Sequence, residues 1–218
     1  SVASRGLGDV YKRQSNVGET MKLHDLAKKR RSIYHLGKDI DHSHAELYEL
    51  IKKIVSESPS SFNSQSSRVV VLFGDEHEAL WDMTRETLRE IVPADSFEAT
   101  NAKMDAFKAA RGTVLFYEDQ EPIKALQEQF PLYADKFPIW SEHSTAIAQY
   151  AVWMALAEHD IGASLQHYNP LIDAAVAERW DIPSNWVLTA QMPFGSIETP
   201  AAAKDYMDEV DRFRAFGL

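Results

Sequence analysis

The sequence predicts an α+β fold in which helices cover both faces of a sheet. Three observations point there. Arg68-Val-Val-Val-Leu-Phe73 and Thr113-Val-Leu-Phe-Tyr117 are short apolar runs without alternation, the pattern of strands buried on both faces. Ser43 followed by Glu46 opens a stretch with Leu47, Leu50, Ile51, Ile54 and Val55 at helical spacing, a capping box leading an amphipathic helix. Pro138 to His159 carries Ile139, Trp140, His143, Ala146, Ile147, Tyr150, Ala151, Met154 and Ala155 with little charge. It reads as a central helix buried on most sides, with His143 a core histidine.

The other elements follow in chain order. A first helix covers Leu23 to Arg30, and the capping-box helix ends before Pro59. The strand from Arg68 stops at Gly74, and acidic, polar helices fit 75–92 and 96–110 before the second strand. A helix fits 120–129 ahead of the central one, and Ile161 to Tyr168 reads as a third strand. Asn169-Pro170 opens a helix, with Asn as N-cap and Pro in the first turn. Trp186 to Met192 is a fourth strand, followed by an irregular tail ending in Asp211-Arg-Phe-Arg-Ala-Phe-Gly-Leu218. A tail of roughly 25 residues is long for a compact domain, and such segments usually carry a function. Reaching over a partner subunit is one role that fits.

Residues 1–20 read as something outside this domain. They hold no apolar run for a secretory signal, and Asp9 and Glu19 break the acid-poor composition of a transit peptide. Gly6 and Gly8 lack the strand and the third glycine of a dinucleotide loop, since Tyr11 stands in its place. Back-translated, Asp9 to Gln14 can be GAT GTG TAT AAG AGA CAG, similar to the end of a transposon-based sequencing adapter. Val17 to Thr20 can be GTA GGA GAA ACA, purine-rich like a ribosome-binding site directly before the ATG of Met21. Residues 4–14 are therefore expected to be translated adapter, residues 1–20 a non-native leader, and residues 21–218 a single domain.

Composition narrows the function. A formal net charge of −10 argues against nucleic acid as the main partner, because phosphate binding needs a basic face. The absence of cysteine rules out disulfides and thiolate metal sites and fits a reducing cytoplasm. No apolar run approaches the length of a bilayer span. A soluble, cytoplasmic protein that contacts neither nucleic acid nor membrane is the expectation, without internal repeats or linkers.

Against that acidic background, Lys28-Lys-Arg-Arg-Ser-Ile-Tyr34 sets four cations before a serine. They can complement a helix C-terminal dipole, or they can clamp a phosphate, since guanidinium forks bind its oxygens bidentately. Ser58-Pro-Ser-Ser-Phe-Asn-Ser-Gln65 is either an ordinary polar loop or a set of donors and acceptors for a heterocycle edge and a polyol. His42 and His44 lack the accompanying cluster of a metal site, and His77-Glu-Ala-Leu-Trp81 lacks the second histidine of a zincin. Phe130 and Trp140 fit a core or a pocket wall, and His167 ends a strand where structure and function are equally served.

"KKRRSIY", "ESPSSFNSQ" about thirty residues on, a buried strand, and later "SLQHYNPLID" and "QMPFGS" together resemble the FMN-dependent nitroreductase family. The closer resemblance is to its subgroup of fungal fatty-acid-repression proteins and small bacterial NAD(P)H nitroreductases, and it covers Met21 to the C-terminus. The resemblance implies a three-layer αβα sandwich with a mixed sheet of four or five strands, an extended C-terminal tail, and an intertwined homodimer with one FMN at each interface. Carried over, Arg30, Arg31 and Ser32 would meet the phosphate and ribityl chain, and Ser58, Ser60, Asn63 and Gln65 would approach the flavin from the partner subunit. Gln166, His167 and Asn169 would lie near the flavin N5 edge, where many relatives have an acid-glycine pair instead. Asn101 and Lys103 match the family's flavin-binding Asn/Lys, and Arg212 and Arg214 would close on the phosphate.

The activity so implied is ping-pong reduction of nitroaromatics, quinones or related acceptors through flavin N5, with NADH or NADPH as donor. No side chain is assigned as acid, base or nucleophile, and no metal is expected. A non-catalytic flavin-binding or regulatory protein on the same scaffold is the alternative. From the residues alone, a cofactor-free αβ protein is also open.

Overall fold

The computed structural model describes residues 20–218, so the expected leader lies, apart from Thr20, outside the described residues. The elements are α1 (Leu23–Lys29), β1 (Leu36–Gly37), α2 (His44–Glu57), β2 (Ser67–Phe73), α3 (Gly74–Arg89), α4 (Phe97–Lys108) and β3 (Gly112–Asp119). They continue with α5 (Gln120–Gln129), α6 (Phe137–Glu158), β4 (Gly162–Ala163), α7 (Asp173–Trp180), β5 (Trp186–Ile197) and α8 (Glu209–Arg212). Short 3-10 turns cover Ser61–Asn63, Ala94–Ser96 and Pro131–Tyr133.

The sheet runs β1-β5-β3-β2, with β4 also pairing to β5. Strand β3 sits between two neighbours, and all eight of its residues are buried. Its side chains alternate between two cores. Val114 and Phe116 meet Leu47 and Ile51 of α2 and Val152 and Leu156 of α6. Leu115 and Tyr117 meet Leu80 and Trp81 of α3, Met104 and Phe107 of α4 and Val176 of α7. Three layers result, α2 and α6 on one face and α3, α4 and α7 on the other. The ladders between named strands are all antiparallel; the mixed character implied by the resemblance reduces to one isolated parallel bridge, Ser32 to Ala163.

Local signals account for most of these elements. The Ser43 hydroxyl accepts the Glu46 N–H (3.2 Å) and the Glu46 carboxylate accepts the Ser43 N–H (2.7 Å), so the capping box closes at both ends. Gly195 sits where β5 crosses β1 at close range: a Cβ there would lie 2.1 Å from the Gly37 carbonyl oxygen. Only glycine permits that approach.

Five expectations need correction. Strand β2 lies at the sheet edge and only Leu72 is fully buried in it, because an edge strand has a neighbour on one side only. The expected strand over Ile161 to Tyr168 shrinks to Gly162–Ala163 and a bridge between Gln166 and Gln191. Beyond that bridge the chain turns away, because the Gln191 side chain takes the Tyr168 N–H (2.7 Å) and donates to the Asn169 side-chain oxygen (3.0 Å). Asn169 is therefore not an N-cap, and the helix begins at Asp173. Strand β5 passes through Pro193 to Ile197, where Pro193 contributes its carbonyl to the Ser164 N–H (3.3 Å).

The fifth correction concerns α6. Its inner side is buried, but Ile139, His143, Ala146, Ile147 and Tyr150 form an exposed stripe at helical spacing, so His143 is not in this chain's core. The tail is exposed from Ala202 to Leu218 and presents Tyr206, Met207, Val210, Phe213, Phe216 and Leu218 to solvent.

One buried histidine makes stability depend on pH. His77 is fully enclosed: its Nε2 meets the Lys108 carbonyl (3.1 Å) and its Nδ1 meets the Thr113 hydroxyl (2.9 Å), which also receives the Trp81 indole N–H (3.0 Å). Burial pushes its pKa down from 6.5 to about 4. The unfolded chain takes up this proton below its own pKa of 6.5, and the folded chain resists until about 4. Stability from this group is complete above pH 6.5 and is lost as pH falls towards 4, by about 3 kcal/mol. Urea melts across that window should show the slope in the wild type and a smaller one in His77→Gln.

Candidate functional site

The helix α1 ends at Lys29, and the chain then passes extended through Arg30, Arg31 and Ser32. Ser32 bridges Ala163, and the Ile33 N–H donates to the Ala163 carbonyl (2.9 Å). That pairing sets the arginines beside the segment leading to Gln166, His167 and Asn169. Arg30, Arg31, Ser32, Tyr34 and His35 face Thr199 to Ala202 and Lys204 across a cleft of about 540 Å3. The Arg31 guanidinium donates to the Ala202 carbonyl (2.8 Å), while that of Arg30 lies 4.4 Å above the centre of the Trp153 ring on α6.

The charges here are unbalanced. Lys29 pairs with Asp160 at 2.6 Å, yet neither Arg30 nor Arg31 has a carboxylate partner among the described residues, in a chain of net charge −10. Two guanidinium groups and a serine hydroxyl at the rim of a cleft suit a phosphate monoester.

The loop after α2 forms a second cluster. Ser58, Ser60, Gln65 and Ser67 surround a cavity of about 150 Å3 together with Val55 and Ser144 of α6. The Ser60 hydroxyl accepts the Gln65 N–H (3.0 Å), closing the loop on itself. Phe62, Asn63 and Gln65 adopt left-handed backbone angles (φ 55°, 49° and 47°), which costs each roughly 1 kcal/mol or more. What holds Phe62 there is aromatic packing, with ring centroids 5.0 Å from Phe130, 5.3 Å from Phe137 and 6.1 Å from Trp140. The Trp140 ring is within 20° of parallel to it. Phe130 and Trp140 thus belong to a partly exposed aromatic wall beside the loop, with Phe62 51% exposed.

Behind the loop lies a buried carboxyl that the sequence reading missed. Glu118, 2% exposed at the end of β3, accepts the hydroxyls of Ser66 (2.8 Å), Ser67 (2.6 Å) and Ser141 (2.8 Å). Burial pushes its pKa up, and the three hydroxyls pull it back. Gln191, fully buried, was missed too: its backbone pairs with Gln166 in both directions (2.7 and 2.9 Å), and its side chain fixes Tyr168 and Asn169. The signal for both was a polar residue inside an otherwise apolar strand.

The remaining residues spread apart within one protomer. Gln166 donates to Ser164 (3.1 Å), and His167 is exposed. Asn101 accepts from Arg85, and Lys103 is exposed on α4, in the layer opposite α2 and α6. The structure therefore does not bring Lys103 to Arg30. Arg212 and Arg214 are exposed on the tail, without a carboxylate partner among the described residues, and Arg212 lies over the Phe213 ring at 5.5 Å. No group of three or more metal-ligating side chains occurs among the described residues.

Comparison with known proteins gives this arrangement a family. Residues 27–196 match the model of the nitroreductase family. Two Saccharomyces cerevisiae proteins are similar along most of their length. HBN1 is 33% identical over 180 residues, 82% of this chain and 89% of its own, and the nitroreductase FRM2 is 30% identical over 183 residues, 83% and 91%. The Lactococcus lactis nitroreductase CinD in complex with nicotinic acid superposes with a TM-score of 0.84 at 48% identity, over 90% of this chain and all of that one. Its complex with 4-nitrophenol gives 0.82 at 47% over the same shares. A Desulfitobacterium hafniense nitroreductase with bound FMN shares the fold, with a TM-score of 0.65 at 15% identity over 89% and 97% of the two chains. With its family-model match spanning the arginine pair, the serine loop and the Gln166–Asn169 segment, this chain belongs to the nitroreductase family.

Proposed function

We propose that the chain is an FMN-dependent NAD(P)H oxidoreductase acting as a homodimer on nitroaromatics, quinones or related acceptors. The observation that carries this reading is the arginine pair, without carboxylate partners among the described residues, at the rim of a cleft in an acidic chain. FMN held there would supply a two-electron carrier able to serve donor and acceptor in turn from one pocket.

The chain's residues hold and orient that carrier. Arg30 and Arg31 neutralise the phosphate, with Ser32 as a further donor. Ser58, Ser60, Asn63 and Gln65 offer hydrogen bonds to the heterocycle edge, and Gln166, His167 and Asn169 border its reactive side. Phe62, Phe130 and Trp140 give a flat apolar wall on which an aromatic donor or acceptor can lie. The binding of nicotinic acid and 4-nitrophenol by CinD supports aromatic ligands of that size. No proton-transfer residue is required of the protein.

Two apolar surfaces support the second copy. The stripe of Ile139, Ile147 and Tyr150 on α6 and the exposed tail leave large side chains without cover in one protomer. A tail crossing to the partner would carry Arg212 and Arg214 to the other copy's cleft.

The test is the visible spectrum of the purified protein, followed by anaerobic NADH or NADPH. The expected result is a yellow protein that nicotinamide bleaches and a nitroaromatic or quinone restores. A yellow protein that nicotinamide leaves unchanged overturns the enzymatic reading. A colourless protein that takes up no added FMN overturns the cofactor.

A further inference from the structure

The serine loop and the central helix meet at one buried acid. The Ser67 side of β2 faces Glu118 across the β2–β3 ladder, and Ser66 precedes it, so both serines form the base of the 58–65 loop. Ser141 lies on α6 next to Trp140, the residue on which Phe62 stacks. All three hydroxyls donate to Glu118. Arg68, the next residue of β2, pairs with Asp119 (3.0 Å) instead, so among the described residues the Glu118 carboxyl is met by hydroxyls and by no cation. Glu142, also on α6, adds a like charge nearby.

A carboxylate is an acceptor on both oxygens, and three donors onto it fix three hydroxyl rotors at once. A neutral side chain in its place must donate from one of its atoms, so at least one serine has to turn and accept. The left-handed residues Phe62, Asn63 and Gln65 make the loop a conformation that its surroundings must impose.

We propose that Glu118 is a positioning residue: by joining Ser66 and Ser67 to Ser141, it locks the 58–65 loop against α6 in the shape that receives the cofactor. This rests on the FMN reading above. Nothing about Glu118 touching the ligand is needed, because Ser67, which it holds, lines the loop cavity with Ser60 and Gln65.

The experiment compares wild type with Glu118→Gln, which keeps the side chain's size. Two quantities are read: hydrogen exchange of the amides of residues 60–67, and the FMN dissociation constant. Loss of hydrogen bonds to a charged acceptor should speed loop exchange and weaken FMN roughly tenfold or more. Exchange in β3 and β5 should stay near wild type, which a general loosening of the fold would not allow. Ser141→Ala should give a smaller change in the same direction, and the double variant should add little to Glu118→Gln alone. Unchanged loop exchange overturns the proposal, as does faster exchange with unchanged FMN affinity. If Glu118→Gln fails to fold, Ser141→Ala decides by the same two readings. If the wild type itself takes up no FMN, the cofactor reading has failed separately; the proposal falls with it as a statement about cofactor, and exchange then decides only whether Glu118 holds the loop.

Discussion

Replacing Arg30 and Arg31 together by Ala is expected to weaken FMN binding by roughly 100-fold to 10,000-fold. Each guanidinium would give the phosphate a charge-assisted hydrogen bond worth about 1.5 to 3 kcal/mol, and a tenfold change in affinity corresponds to about 1.4 kcal/mol. The fold should survive, since Arg30 rests on the Trp153 ring and Arg31 reaches, among the described residues, one carbonyl, at Ala202. Lys29→Ala is the internal control: its ammonium is already paired with Asp160 at 2.6 Å, and its loss should leave FMN affinity within about twofold. Fluorescence titration of apoprotein with FMN measures all three proteins. An affinity within tenfold of wild type in the double variant would place the phosphate elsewhere.

Removing residues 203–218 is expected to have the largest effect on assembly. Six large apolar side chains stand exposed there, from Tyr206 at 70% to Leu218 fully open, and burying each on a partner is worth about 1.5 to 3 kcal/mol before the costs of association. The shortened chain should run as a monomer at micromolar concentration in light-scattering measurements and should lose FMN along with Arg212 and Arg214. Its secondary structure should be retained, because the tail from Ala202 on adds nothing to the two cores. A shortened chain that stays dimeric and yellow would show that the tail serves neither the interface nor the phosphate.

Local chemistry was readable where its cause is local. The Ser43–Glu46 box, the apolar run at Thr113 to Tyr117 and the helix over 120–129 each carry their own instruction, and the structure follows them. The segment Ile161 to Tyr168 was misread because a side chain 23 positions after Tyr168, that of Gln191, bends it. No pattern within the segment records that. His143 and its neighbours show a different blindness: an apolar helix face looks the same in sequence whether it packs inside its own chain or stands open on it. The cation cluster and the serine loop stand out in the sequence as groups of like residues, and the fold keeps them as two separate clusters in one protomer. Ser66, Ser67 and Ser141 read as ordinary hydroxyl positions until the fold sets Glu118 among them. Lys103 comes from the family resemblance, and within one protomer α4 sets it in the layer opposite α2 and α6.

The stacking of Arg30 on Trp153 has a practical consequence. An indole in contact with a guanidinium emits differently when that cation turns to an anion, and of the five tryptophans Trp153 is the one so placed beside the cleft. If the proposed phosphate site is right, the chain would contain an optical gauge of it, able to report a colourless phosphate ester as readily as a coloured one.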